Sequence, residues 1–244
     1  MSQTDLSEEV EIIEIDVQFR PPTDERYLVI NFKSYKEAIG IKAIELAKLI
    51  DEISQSYKAK TIIAPNLVDL IPVARAVENI DVIAQHVDAV EGAHTGSIPI
   101  KPLAEYGISG ALLNHSEKPL GINAIAKAVE ELRKYGLYSI VCTAETLASR
   151  AMTLIADFVA FEDPELIGSG ISVSTAKPEL VKRHIDEIRK GIAVPLVGAG
   201  ISTAKDVQKA LELGAQGVLM ASAIIKAKDR EKKLREILDA LDNF

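Results

Sequence analysis

Short apolar runs alternating with segments of helical periodicity constrain this chain more than any other feature. The apolar runs are predicted strands at Tyr27–Phe32, Lys60–Ala64, Asp81–Gln85, Gly110–Leu113, Ser139–Cys142, Phe158–Phe161, Val194–Val197 and Gly217–Met220. Helical patterns are predicted near 36–54, 67–78, 121–135, 145–154, 178–190, 203–213 and 229–241. The strands are apolar at successive positions, as parallel strands covered on both faces must be. Eight such units match the count of a closed (β/α)8 barrel. An open doubly wound sheet would need edge strands, and no run is shortened or charged enough to serve as one. The punctuation agrees. Thr203 to Asp206 reads as a capping box, Gly214 follows that helix, and Pro178 suits a first helical position. The length of 244 residues is ordinary for one barrel domain.

The charge divides the chain. Residues 1–26 carry a net −6 and the remaining 218 only −2. Two regions are therefore expected: an acidic N-terminal extension over 1–26 and a single barrel domain over 27–244. Within the extension, Ile13, Ile15, Val17 and Phe19 alternate with Glu14, Asp16, Gln18 and Arg20 before Pro21-Pro22. That period of two predicts an extra strand at 10–20, docked on its own body or on a neighbouring subunit; an unstructured tail is the other reading. A total net charge of −8 disfavours a nucleic-acid partner. The absence of a long apolar run disfavours a membrane, and the polar start disfavours a signal peptide. One cysteine, Cys142, excludes an internal disulfide framework and points to the cytoplasm. No Cys/His cluster has metal-ligand spacing.

Barrels place their chemistry at the carboxyl ends of the strands. The first run ends Asn31-Phe32-Lys33, and the pleat puts Asn31 and Lys33 on one face, suited to an anionic or carbonyl-bearing substrate. The fourth leads into Asn114-His115-Ser116-Glu117, where an imidazole could polarise a carbonyl. The sixth leads into Glu162-Asp163, where a carboxylate could act as general base if burial raises its pKa. Each of these residues has an ordinary structural reading when taken alone. Gly168-Ser169-Gly170, Gly198-Ala199-Gly200 and Ala221-Ser222 follow the last three strands, where backbone N–H groups can approach a phosphate.

The set INFKSY (30–35), AQHVDAVEGAHTGSI (84–98), LLNHSE (112–117), FEDPELIGSG (161–170), VGAGI (197–201) and GVLMASAIIKAKD (217–229) resembles the triosephosphate isomerase family, its short archaeal branch in particular. The resemblance covers about residues 27–240 and implies a TIM barrel. It implies interconversion of dihydroxyacetone phosphate and glyceraldehyde 3-phosphate through an enediol(ate), in glycolysis and gluconeogenesis, without a cofactor. Glu162 then matches the base, His115 the neutral imidazole and Lys33 the cation. Asn31 matches an oxygen-binding neighbour, and Glu117 a supporting carboxylate. Ile167, Gly168, Gly198, Gly200, Ala221 and Ser222 match the phosphate cradle. Residues 163–176 match a mobile lid, and His94-Thr95 a loop that reaches into a partner subunit. Only 47 positions separate His115 from Glu162, as in the archaeal branch, so the resemblance implies a homotetramer, with a dimer as the fallback.

The chain departs from the family at several points. Asp163 stands where proline is usual, and an extra acid there is expected to raise the pKa of Glu162 or loosen the lid hinge. Phe161 stands for tyrosine and Ala223 for glycine. Cys142 is expected to pack rather than react. His86 and His184 have no partner readable from the sequence. The competing readings are a barrel acting on another phosphorylated metabolite, and a non-catalytic phosphate-binding barrel or assembly module that contacts partners through its extension.

Overall fold

A computed structural model describes residues 21–22 and 24–244. The strands are β1 Tyr27–Asn31, β2 Lys60–Ala64, β3 Asp81–Ala84, β4 Gly110–Leu113, β5 Tyr138–Thr143, β6 Phe158–Phe161, β7 Val194–Val197 and β8 Gly217–Met220. All are parallel, each pairs with the next, and β8 returns to β1 in the register Tyr27↔Gly217, so the sheet closes. The helices are α1 Ile41–Ser54, α2 Leu70–Ala74, α3 Ile100–Glu105, α4 Ile122–Lys134, α5 Thr146–Met152, α6 Val173–Ala176, α7 Pro178–Ile188, α8 Ala204–Glu212, α9 Ser222–Ile225 and α10 Arg230–Asp242. The strand predicted at 10–20 lies outside the described residues. Among the described residues no helix is long and apolar enough to cross a membrane.

The pleat sorts the core into two shells. Tyr27, Val29, Ile62, Ala64, Ile83, Leu112, Ile140, Phe158, Ala160, Leu196 and Leu219 fill the barrel. The alternate residues Leu28, Ile30, Phe32, Ile63, Ala111, Val159, Phe161 and Val218 face the helices. The helices answer with stripes spaced for the 3.6-residue turn. On α4 the buried residues are Ile125, Ala128, Val129 and Leu132; on α7 they are Val181, His184, Ile185 and Ile188. The expected capping box joins Thr203 and Asp206, and Pro178 occupies the first turn of α7.

Three differences from the sequence reading have local causes. The first helix begins at Ile41 rather than near 36, because Gly40 is left-handed (φ 63°) and interrupts the pattern. The segment expected as one helix over 67–78 is a 3₁₀ turn, Leu67–Asp69, followed by the short α2. The short helices α3, α6 and α9 have too few residues to declare a period.

The amino end of the barrel is shut by aromatic packing. Phe158 meets Tyr27 edge-on with ring centroids 4.9 Å apart, and Tyr138 lies at 5.5 Å. The Tyr27 hydroxyl donates to the Pro22 carbonyl (2.9 Å), tying the residues before β1 to this end. Gly217 starts β8 against the β1 backbone, and a Cβ there would run into the Tyr27 carbonyl oxygen and the Leu196 side chain. Gly217→Ala is therefore expected to destabilise the fold by about 1–3 kcal/mol, lowering Tm by about 2–4 °C per kcal/mol. A thermal melt checks this; an unchanged Tm would mean that β8 shifts freely past β1.

Candidate active site

Two residues beyond each last inward-facing position, the chain reaches the carboxyl mouth of the barrel. Counting on from Val29, Ile83, Ala160 and Leu196 gives Asn31, Gln85, Glu162 and Gly198. His115 breaks this parity. Asn114, which should hold the inward position after Leu112, is left-handed (φ 58°). Its side chain is used structurally, donating to the Cys142 carbonyl and accepting from the Leu120 amide, both at 2.9 Å. The turn brings the next residue, His115, to the mouth.

His115 and Glu162 are each 5% exposed. His115 Nε2 and Glu162 Oε2 lie 3.5 Å apart. Both atoms are buried with no hydrogen-bond partner in the protein. The tautomer of His115 follows from its other nitrogen. The Glu117 backbone amide donates to Nδ1 (3.2 Å), so Nδ1 is an acceptor and the ring proton sits on Nε2, facing the mouth.

Lys33 supplies the positive charge. It is left-handed (φ 49°), with its amide donating to Asn31 Oδ1 (2.9 Å) and its carbonyl accepting from Gln85 Nε2 (3.1 Å). Its Nζ donates to Glu117 Oε2 at 2.8 Å. Gln85 was not singled out in the sequence; strand parity alone would have found it. Asn31, Lys33, His115 and Glu117 line a cavity of about 500 Å³ together with His86, which pairs with Asp88 at 3.2 Å. A second cavity of about 40 Å³ is lined by Lys33, Glu162, Ile167, Gly168, Gly200, Ala221 and Ser222, among others. Lys33 thus borders both spaces.

Gly198 lies outside that lining and presses on Glu162 instead. A Cβ at Gly198 would stand 2.6 Å from Glu162 Cγ and 2.7 Å from Oε1. The absent side chain is therefore what leaves room for the carboxylate. Ala199 and Gly200 are both left-handed, at φ 66° and 73°. The Ala199 carbonyl accepts from the Val173 amide (3.1 Å), and a Cβ at Gly200 would collide with the Ile171 carbonyl. The far foot of the loop after β6 rests on this turn.

Asp163 does not hang beside Glu162 as a free acid. It is 7% exposed, and its carboxylate accepts from Lys177 Nζ at 2.6 Å and from the Glu165 amide at 3.0 Å. Lys177 also reaches Glu165 at 3.1 Å. The two feet of the loop are joined by an ion pair. Cys142 is fully buried, and burial pushes its thiol pKa up, with the nearby Glu162 charge adding to the effect, so it packs rather than reacts. Among the described residues no group of three or more His, Cys, Asp or Glu side chains is placed to hold a metal ion.

Burial raises the Glu117 carboxyl, but the hydrogen bond and charge of Lys33 outweigh it and hold the carboxyl below its usual 4.5. A depressed carboxyl contributes stability above its unfolded value and loses it as pH falls through the folded one; here the contribution is small because Glu117 is 63% exposed. Lys33→Met should return the Glu117 titration upward toward 4.5, read by carboxyl NMR. An unchanged titration would remove Lys33 as the cause.

The family model described as triosephosphate isomerase matches residues 26–241. The triosephosphate isomerase of Methanothermus fervidus is 48% identical over 221 residues, covering 88% of this chain and 98% of its own. That of Archaeoglobus fulgidus is 48% identical over 219 residues, with 88% and 97% covered. That of Methanocaldococcus jannaschii is 43% identical over 216 residues, with 86% and 98% covered.

Proposed function

Because the chain belongs to the triosephosphate isomerase family and interconverts dihydroxyacetone phosphate and glyceraldehyde 3-phosphate through an enediolate, we propose a distinct role for each residue at the mouth. Glu162 is the base that takes a proton from one substrate carbon and returns it to the other. His115, neutral with its proton on Nε2, donates to the substrate oxygen and passes protons between the two oxygens. This pair is a standard example of acid–base chemistry tuned by environment, and the family is the case from which the example is drawn. The observation that carries the assignment is the 3.5 Å approach of two buried, unpartnered polar atoms, one a carboxylate oxygen and the other a ring nitrogen.

Lys33 draws the dianionic substrate into the mouth and stabilises negative charge developing on oxygen. Asn31 holds the backbone of Lys33 and borders the same space. The phosphate is held by backbone groups around Ile167–Gly168, Gly198–Gly200 and Ala221–Ser222, whose small residues allow close approach. Residues 163–176 form the lid that keeps water from the enediolate. Residues 27–244 act as the catalytic domain and 1–26 as an extension of it. The lone buried thiol suits a reducing cytoplasm.

Self-association belongs to the same reading. Gly92–Gly96 is an exposed loop, and the cavity beside His115 opens at the mouth of the barrel. We place the loop of one copy in the cavity of another. Ile122 and Leu147, 61% and 76% exposed, lie in the first turns of the successive helices α4 and α5 and offer a second contact that builds a homotetramer. Light scattering should return about four times 26.4 kDa, and Leu147→Asp should lower that mass. A monomer in both proteins would end this assignment.

The catalytic assignment is tested by Glu162→Gln in a coupled assay of glyceraldehyde 3-phosphate turnover. A fall in kcat of about 100- to 10,000-fold, with the fold intact by circular dichroism, is the expected result. Retained turnover would remove Glu162 from the role of base.

A further inference from the structure

His184 takes no part in the chemistry at the mouth, yet it is fully buried on α7 where its stripe would suit an apolar residue. A buried imidazole must recover by specific contacts what it loses in hydration. Its contacts are specific. The ring stacks on Phe161, with centroids 3.7 Å apart and planes at 18°. Ser149 Oγ lies 2.8 Å from Nδ1, and Thr146 Oγ1 lies 3.2 Å from Nε2. Ser149 Oγ also meets Thr143 Oγ1 at 2.7 Å.

These contacts form a closed circuit. Thr143 ends β5, and its carbonyl accepts the backbone N–H of Glu162 at 2.9 Å. Phe161, under the imidazole, is the residue covalently before Glu162. From Glu162 the path runs to Thr143, Ser149, His184, Phe161 and back to Glu162. On the other side, the Phe161 carbonyl accepts from the Gly198 amide at 2.8 Å. Burial, with a smaller effect from Arg183, pushes the His184 imidazole down to about 4, so the ring is neutral near pH 7. A neutral ring offers one donor and one acceptor, and each hydroxyl can turn to match it.

We propose that His184 is a positioning residue: through Ser149 and Thr143 on one side and Phe161 on the other, it fixes the backbone from which the Glu162 carboxylate is aimed. The proposal rests on the reading of Glu162 as the base. A base misplaced by about 1 Å loses on the order of 100-fold in rate, whereas the proposed phosphate cradle meets this circuit only through the Gly198 amide on the Phe161 carbonyl and otherwise stands on Ile167–Gly168 and Ala221–Ser222.

The test is a split between kcat and KM. His184→Leu keeps the volume but loses both hydrogen bonds and the stack; it should lower kcat by about 10- to 100-fold, with KM and the inhibition constant of inorganic phosphate changed less than about threefold. His184→Asn, which retains a polar group near the position of Nδ1, should recover part of that kcat. Ser149→Ala, a smaller change, carries the test should His184→Leu fail to fold. It should lower kcat in the same sense, and its effect should not add to that of His184→Leu wherever both fold. Unchanged kcat in folded Ser149→Ala, or a loss of Tm with kcat and KM untouched at 25 °C, would overturn the proposal. Glu162→Gln assayed alongside separates the two claims. Turnover retained there defeats the reading of the base, while turnover lost there but kept in the Ser149 and His184 variants defeats only the positioning role.

Discussion

In a closed parallel barrel each strand can present only every second side chain to the interior, and the interior is filled by side chains. That pleat governs both the core and the site. Inward positions along the strands are apolar while they have neighbours across the barrel to pack against. At the carboxyl end those neighbours run out, and the same parity that placed Val29 and Ala160 inside places Asn31 and Glu162 at the mouth. The site is thus a continuation of the core by two residues per strand. His115 is the exception, and reaching the mouth takes a left-handed Asn114 whose side chain is bonded on both ends to keep the turn.

The electrostatics of the mouth separate charge from proton donation. Lys33 carries the positive charge and is paired with Glu117. The backbone amide of the same Glu117 holds Nδ1 of His115 as an acceptor. One residue therefore balances the cation with its side chain and sets the histidine tautomer with its backbone. The carboxylate of Glu162 faces His115 Nε2 across 3.5 Å and has no cation paired with it.

The strands were legible because each is a short apolar run bounded by polar or turn residues, and the mouth was legible because its residues come directly after those runs. Length and local signals alone could not carry the rest. Gly40 halted α1 five residues inside the expected start, and α3, α6 and α9 are shorter than the window in which a helical period can be seen. Asp163 read as an unneutralised acid because its partner, Lys177, lies fourteen residues away across the loop. His184 reads as partnerless because its contacts come from α5 and β6, elements whose packing against α7 no local pattern encodes. What was missed at Asp163 and His184 was a side-chain contact between elements.

Three successive residues after the β6 core carry three different anchors. Phe161 is held beneath His184, Glu162 is held through its amide by Thr143 and hemmed in by Gly198, and Asp163 is tied to Lys177 at the opposite foot of the loop. The far foot rests in turn on the Ala199 carbonyl, one residue beyond the glycine that makes room for Glu162. Carboxylate and loop therefore share a foundation, since the turn after β7 supports both. The residue before Glu162 is anchored to the helical shell and the residue after it to the far foot of the loop. The change from one anchorage to the other falls between Glu162 and Asp163. A proline at position 163 would fix φ through its ring; in this chain the same residue is held by a buried carboxylate with two donors.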